Sequence, residues 1–195
     1  RLMLVASGGL GAEVSPGIRA IATPGFDQLM SVLTLPGLRH AGVLGLRALS
    51  AAPWKVTRDL DEVADIFDSF KDRRARQAVR HVVRAVVDWQ GQIVTMADRA
   101  YLTEEMPLWV VWGRDDKVIP VRHAANAAAL APRSRIEVIP DAGHFPHKDH
   151  PERFAAIVTE FVRTTQPATY SRARFRALLK AGAAPASLRA VEETA

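Results

Sequence analysis

The chain has 195 residues, of which 48% are hydrophobic and 24% charged, and its formal net charge is +5 at pH 7. This is the composition of an ordinary globular protein, and the length suffices for one domain with a sizeable core. The chain has no cysteine, which excludes a disulfide framework and a thiolate metal site. No apolar run approaches the roughly 20 residues that span a bilayer. Because the basic residues are interspersed with acids, we expect neither a nucleic-acid partner nor membrane contact.

A buried strand is predicted at the start of the chain, over residues 2–6, and a glycine-rich turn follows it. The turn Ser7-Gly8-Gly9-Leu10-Gly11 indicates positive φ or a close approach of the backbone. It lacks the sequence pattern of a phosphate loop, so a structural turn at the rim of a site is favoured. A buried parallel strand needs neighbours on both edges, and only two other strong strand candidates follow. We therefore expect the C-terminal part of a larger α/β domain; we expect it to be cytoplasmic, and any N-terminal targeting signal would precede Arg1.

Residues 13–100 are predicted to be a mainly helical insertion between core strands, which we interpret as a cap or lid after the core segment 1–12. Asp59 is predicted to cap one of its helices. Residues 73–90 combine a valine stripe with arginines mostly off that stripe, and we expect these arginines to be a solvated face rather than an anion site. The apolar side chains of the block favour a hydrophobic substrate, although such residues more often only pack a lid. They are Phe26, Leu29, Met30, Leu33, Leu35 and Trp54.

The segment 101–166 is predicted to hold two more core strands, each followed by a turn that carries chemistry. The apolar run Leu108–Trp112 predicts a buried strand. Polar and apolar residues alternate in Arg135–Pro140, which predicts another strand. Residues 121–130 carry a helical stripe between them, and another amphipathic helix begins at Pro151. The final segment 167–195 is a basic tail with one short amphipathic helix, and we expect disorder beyond residue 182. Such a tail could contact a membrane or a partner, but a loosely docked extension is favoured.

An acid and a histidine follow the two C-terminal strands, at the edge where open α/β sheets place their active sites. Asp115 and Asp116 follow the first strand, and His144 follows the second. A carboxylate that orients an imidazole is the supporting half of a nucleophilic triad. Spacing leaves either aspartate open as the acid, and also leaves open a simple helix cap and a surface histidine. His147 and His150 lie near His144, but without an acid cluster they predict no metal site.

The run W-G-R-D-D-x-V-I-P followed by P-x-A-G-H-F-P-H-x-x-x-P-E-R-F resembles the α/β-hydrolase superfamily. In that family the acid is the last residue of G-x-x-D and the histidine lies in a G-H turn. The resemblance thus implies that Asp116 is the triad acid, Asp115 a neighbouring turn residue and His144 the general base. The glycine-rich start is similar to that of carbon–carbon bond hydrolases of aromatic meta-cleavage pathways. The resemblance extends to about residue 165 and places residues 13–100 at the position of the family's cap.

The chain departs from the family pattern because it has no nucleophile elbow, G-x-S-x-G on a strand-to-helix turn. Ser7 lacks that context. The resemblance implies that the nucleophile and the oxyanion hole lie upstream of Arg1, so we expect the 195 residues to be inactive by themselves. Phe145 stands where the meta-cleavage enzymes usually have tryptophan. Only Tyr101 and Tyr170 are available for the tyrosine pair of an epoxide hydrolase.

The function that the resemblance implies is hydrolysis of a hydrophobic ester, or of a related acyl or carbon–carbon substrate, by a nucleophile-His-Asp triad. No cofactor and no metal are expected. The partners we expect are a small hydrophobic substrate and the missing N-terminal half of the same fold. Two alternatives stay open: a non-catalytic binding protein with this fold, and an enzyme with an aspartate nucleophile, similar to haloalkane dehalogenases or epoxide hydrolases. Spacing and composition leave the oligomeric state open.

Overall fold

The computed structural model describes residues 1–54 and 57–182, so the predicted disorder beyond residue 182 lies outside the described residues. The chain divides into two compact units. Unit 1 comprises Arg1–Glu13 and Val94–Ala195, and unit 2 comprises Val14–Ile93. The elements in chain order are β1 (Leu2–Val5), α1 (Pro16–Ala22), α2 (Phe26–Leu33), α3 (Pro36–Ser50), α4 (Leu60–Ser69), α5 (Arg73–Val86), a 3₁₀ helix (Ala97–Thr103), β2 (Leu108–Gly113), α6 (Arg122–Leu130), β3 (Arg135–Ile139), α7 (Pro146–Asp149), α8 (Pro151–Thr164) and α9 (Arg172–Ala181).

The three predicted strands form one parallel sheet in the order β1-β2-β3. Leu2 pairs with Leu108, and Trp109 pairs with Arg135. Every residue of the central strand β2 is buried, which explains why its sequence is a continuous apolar run rather than an alternating one. The α/β fold class and the three strand positions are therefore confirmed.

Helices cover both faces of the sheet, since side chains alternate between the faces along each strand. On one face Val110 and Trp112 pack with Ala124 and Ala127 of α6. On the other face Trp109 and Val111 pack with Ile157 and Phe161 of α8. The Trp109 and Phe161 ring centroids are 5.2 Å apart. Because β2 is anchored from both sides, the turn that follows it is held on a rigid support.

Unit 2 consists of the helices α1 to α5. Pro16 and Pro36 stand at the first turns of α1 and α3, where proline is tolerated because the first N–H groups have no partner within the helix. Asp59 occupies the N-cap position of α4, but its side chain makes no capping bond, which corrects the predicted cap. Asp72 caps α5 instead, accepting a hydrogen bond from the backbone N–H of Arg74 at 2.7 Å.

The arginines of α5 are not a uniformly solvated face, which corrects the prediction from the valine stripe. Arg76 is only 9% exposed, and Arg80 is half-buried, whereas Val82 is 63% exposed. The reason is that α2 supplies polar groups to α5: Arg80 pairs with Asp27, and the Arg76 guanidinium reaches the Ser31 hydroxyl at 3.4 Å. Valines on the other side of α5 are consequently left partly exposed.

No single helix in residues 1–54 and 57–182 is long and apolar enough to cross a membrane. Taken together, α2 and α3 are long and apolar enough by length and composition, but the pair is bent by 92° at its junction.

Candidate active site

Asp116 lies in the turn that directly follows β2, and its carboxylate is fully buried. Its Oδ1 atom accepts hydrogen bonds from the backbone N–H groups of Val118 at 2.8 Å and Ile119 at 2.9 Å. The indole N–H of Trp112 donates to the Ile119 carbonyl at 3.1 Å, which ties the same turn to the sheet core. Two backbone donors both satisfy the buried negative charge and stop the carboxylate from rotating. The remaining oxygen, Oδ2, is thereby aimed in one direction.

The Oδ2 atom of Asp116 points at the ring of His144. Its Nδ1 atom lies 3.0 Å from Oδ2 of Asp116, and its side chain is 19% exposed. Because a carboxylate only accepts hydrogen bonds, the proton is assigned to Nδ1, and Nε2 is the basic nitrogen of the neutral ring. The ring edge-packs on Phe145, with 5.0 Å between the centroids. The structure thus brings together the two residues that the sequence predicted for the site.

Gly113, the last residue of β2, allows the aspartate turn and the histidine turn to meet. A Cβ atom on Gly113 would stand 2.0 Å from the Gly143 carbonyl oxygen and 2.5 Å from that of Ala142. Across this contact the backbone N–H of Asp115 donates to the Ala142 carbonyl at 2.9 Å. The Gly143 N–H donates to the Asp149 carboxylate at 2.6 Å, which fixes the histidine turn from α7. Only glycine fits where the two backbones approach this closely.

The glycine-rich turn after β1 packs in unit 1 as predicted, through one positive φ and one close approach. Gly9 has φ of +86°, and its carbonyl accepts a hydrogen bond from the Met96 N–H at 2.7 Å. Gly11 lies against the His123 ring, where a Cβ atom would stand 2.6 Å from Nε2. The turn therefore shows both the positive φ and the close backbone approach that its glycines indicated.

A buried histidine–glutamate pair next to this turn was missed by the sequence reasoning. His123 is completely buried on α6, and its Nε2 lies 2.7 Å from a Glu13 carboxylate oxygen. Arg122 also binds Glu13, at 2.8 Å. Hydrogen bonds from Arg122 and then His123 lower the pKa of Glu13 to about 2. The sequence contains one indication of this pair: His123 lies one helical turn from Ala127 on the apolar stripe of α6, and a buried histidine needs a hydrogen-bond partner.

The other residues considered from the sequence have different surroundings. The Ser7 hydroxyl donates to the Gly8 carbonyl at 3.2 Å. His147 packs on Phe154, with 5.8 Å between ring centroids, and His150 binds the carbonyl of Asp141 at 3.1 Å. Within residues 1–54 and 57–182 there is no group of three His, Asp or Glu side chains that could hold a metal ion.

The geometry defines what the pair can do. A histidine held in one tautomer by a buried carboxylate can accept a proton at Nε2, and the carboxylate stabilises the imidazolium that results. A pair of this geometry has the chemistry of an orienting acid and a general base.

Comparison with known proteins gives a consistent picture. The family model described as alpha/beta hydrolase family matches residues 3–157. An uncharacterized protein of Mycobacterium tuberculosis is 40% identical over 198 residues, covering 100% of this chain and 58% of that protein. A stretch of 53 residues is 32% identical to a 2-hydroxy-6-oxo-6-phenylhexa-2,4-dienoate hydrolase of Burkholderia cepacia and covers 27% of this chain and 18% of that enzyme.

Among solved structures, the fold is similar to that of a meta-cleavage product hydrolase from Pseudomonas fluorescens, with a TM-score of 0.53 at 17% identity. That alignment covers 85% of this chain and 56% of the other. The chain therefore spans somewhat more than half the length of the mycobacterial relative and of this solved structure.

Proposed function

The chain belongs to the alpha/beta hydrolase family, and on that premise we propose that it supplies the acid and the general base of a hydrolase. The observation that carries the proposal is the 3.0 Å contact between Nδ1 of His144 and Oδ2 of Asp116, made by a carboxylate that two backbone N–H groups hold in place. Family membership supports hydrolysis as the reaction class. The geometry supports the assignment of roles to these two residues.

In the proposed reaction, Nε2 of His144 removes the proton from a serine hydroxyl as the serine oxygen attacks the substrate carbonyl. The imidazolium that forms keeps its Nδ1–H bond to Asp116, whose negative charge stabilises it. Nε2 then returns the proton to the leaving group, and a covalent acyl intermediate remains on the nucleophile. Water attacks this intermediate with His144 again acting as base, which releases the acid product and restores the starting state.

The proposal takes this serine to be carried upstream of Arg1. In the alternative, an aspartate carboxylate there attacks an alkyl carbon, and His144 acts as base only on the water that hydrolyses the resulting ester. One support is that the mycobacterial relative is longer than this chain. Another is that the Ser7 hydroxyl donates its hydrogen bond to the neighbouring Gly8 carbonyl. It follows that these 195 residues by themselves should not turn over substrate.

A hydrophobic ester, or a related acyl or carbon–carbon substrate, is the substrate class that we propose. In unit 2, Phe26 is buried, but Leu29, Leu35 and Trp54 are all more than half exposed. Packing within unit 2 accounts for Phe26, whereas the side chains of Leu29, Leu35 and Trp54 are available to an apolar ligand. We propose accordingly that unit 2 acts as the cap of the enzyme.

The test uses the protein together with its upstream segment and a short-chain p-nitrophenyl ester. Replacing His144 by alanine should lower kcat/KM by about 10⁴-fold or more, as loss of a triad member does. Asp116→Asn should give a loss of similar size, because the amide favours the wrong ring tautomer. His147→Ala is the matched control, since His147 is exposed in the same segment and should retain activity.

Retained turnover in the His144→Ala variant would remove His144 from the mechanism. A fluorophosphonate probe identifies the nucleophile: labelling that depends on His144 indicates serine. Release of halide from a haloalkane or ring opening of an epoxide, without labelling, indicates the aspartate alternative. Absence of labelling and of turnover across esters, haloalkanes and epoxides would favour the non-catalytic binding protein.

A further inference from the structure

Arg76 in unit 2 is a buried cation without a carboxylate partner. Its residue exposure is 9%, and its guanidinium donates to the carbonyl of Phe70 and to the hydroxyl groups of Thr34 and Ser31, the latter two at 3.4 Å. All three acceptors are neutral, and no carboxylate of the described residues lies within 4.0 Å of it. A buried charge is costly unless an opposite charge compensates it. The arrangement therefore lacks a counter-ion.

A cavity of about 430 Å³ opens beside this guanidinium, between α2 and α5. Its walls are formed by the side chains of Asp27, Gln28, Ser31, Arg73, Arg76 and Gln77, all of unit 2. A second cavity of about 290 Å³ shares Asp27 and Gln77 and adds Arg80, His81 and Arg84. Volumes of this size fall near or within the roughly 300–1,000 Å³ of small-molecule clefts. There is room for a small molecule rather than for a bare ion.

The charges on the walls of the larger cavity do not balance. Asp27 is the one acid among its lining residues, and it forms an ion pair with Arg80 of the neighbouring cavity. Asp72, the closest acid in sequence, is engaged in capping α5. Two guanidinium groups, those of Arg73 and Arg76, are thus left without a carboxylate among the described residues.

The buried guanidinium of Arg76 and the exposed one of Arg73 can together bind an anion with two negative charges and several acceptor oxygens. A phosphate group meets both conditions, because its oxygens match the planar fork of a guanidinium bidentately. A single carboxylate would compensate only one of the two cations. The amide groups of Gln28 and Gln77 lie on the same walls and can donate further hydrogen bonds.

We propose that unit 2 binds a phosphate group, borne by a small phosphate monoester, in the cavity between α2 and α5, with Arg73 and Arg76 as its ligands. The site lies wholly within unit 2 and does not depend on the hydrolase function proposed above.

The test is isothermal titration calorimetry of the full chain with inorganic phosphate and with glycerol 3-phosphate, at constant ionic strength set with chloride. The decisive variants are Arg73→Gln and Arg74→Gln, which remove the same charge from adjacent residues of α5. Both side chains are exposed, so both proteins should fold, but only Arg73 lines the cavity. Arg73→Gln should weaken binding by about tenfold or more, the effect of losing a charge-assisted hydrogen bond. Arg74→Gln should change it by less than about twofold, as expected of a screened surface charge.

Tighter binding of glycerol 3-phosphate than of inorganic phosphate supports a phosphate monoester as the ligand, and equal binding of the two overturns the assignment to a monoester. The proposal is overturned if neither ligand binds saturably. It is also overturned if the two variants lose affinity equally, since general surface charge would then explain the binding. Equal affinity for succinate would overturn the assignment to phosphate.

Discussion

Gly113→Ala is the substitution that most directly tests how the acid and the histidine are brought together. The added Cβ atom would stand 2.0 Å from the Gly143 carbonyl oxygen, and contacts below 3.0 Å essentially do not occur. The end of β2 and the turn before His144 must therefore separate by about 1 Å. A shift of that size would stretch the 2.9 Å bond from the Asp115 N–H to the Ala142 carbonyl and the 3.0 Å contact between His144 and Asp116.

The expected loss of stability follows from these contacts. Overpacking of a well-packed site costs about 1–3 kcal/mol, and a weakened backbone hydrogen bond adds about 1 kcal/mol. We expect the free energy of unfolding to fall by about 2–4 kcal/mol, a large part of the roughly 5–15 kcal/mol typical of a folded domain. Gly45→Ala is the control, since a Cβ atom there meets nothing within 4 Å in the middle of α3. That change should be neutral or should stabilise the helix by about 0.5–1 kcal/mol.

Urea unfolding followed by tryptophan fluorescence measures this difference. Trp109 and Trp112 are buried in unit 1 around the site, whereas Trp54 and Trp89 are exposed, so the signal reports mainly on the relevant unit. Proton NMR of the hydrogen-bonded Nδ1–H of His144 gives a second readout, which should be lost in Gly113→Ala. An unchanged urea midpoint together with an unchanged histidine resonance would refute the geometric argument.

Two other substitutions test electrostatics and packing. Glu13 has its pKa lowered from 4.5 to about 2, so its ion pair stabilises the fold fully above about pH 4.5 and ceases to do so as the pH falls to about 2. Glu13→Gln should therefore lower the free energy of unfolding at neutral pH by roughly 1 kcal/mol, a small effect because the Glu13 side chain is half-exposed. The difference in urea midpoint between the two proteins should vanish towards pH 2. A difference that does not change with pH would contradict this electrostatic origin. Ile157 is buried, and Ile157→Ala should lower the free energy of unfolding by about 2–5 kcal/mol. Leu44→Ala is the control, since Leu44 is 68% exposed, and it should change that free energy by no more than about 0.5 kcal/mol in the same titration. Equal effects of the two substitutions would contradict the assigned core.

The parts of the fold that could be predicted are those encoded locally. The run from Leu108 to Gly113 is apolar throughout because β2 is buried on both faces, and such a run is visible in the sequence without its neighbours. The meeting of Asp116 and His144 could be anticipated because both follow parallel strands of one sheet. The choice between Asp115 and Asp116 could not be made from spacing. It depends on how the turn after Gly113 is folded, and in the structure it is the Asp116 carboxylate that lies against the histidine ring.

The parts that could not be predicted depend on which elements face each other. Hydrophobic periodicity favoured the valines of α5 as its inner face, yet Arg76 is buried and Val82 is exposed, because the facing helix α2 offers hydroxyl groups and a carboxylate. The pair of Glu13 and His123 joins residues far apart in the sequence, and no local pattern links them. Long-range polar contacts of this kind are set by tertiary structure and not by the preferences of a segment.

The groups that hold the acid and the histidine come from one short part of the chain. The two backbone donors to Asp116, the glycine that lets the turns meet, the carboxylate of Asp149 and the α8 side chains beneath the sheet all lie between residues 108 and 161. Among the described residues, the bonds named here all lie within unit 1. Helices α1 to α5 can therefore accumulate substitutions, or be exchanged during evolution, at little cost to this pair. Under the proposed function, selection on ligand preference and selection on the acid–histidine pair can act on separate stretches of the gene.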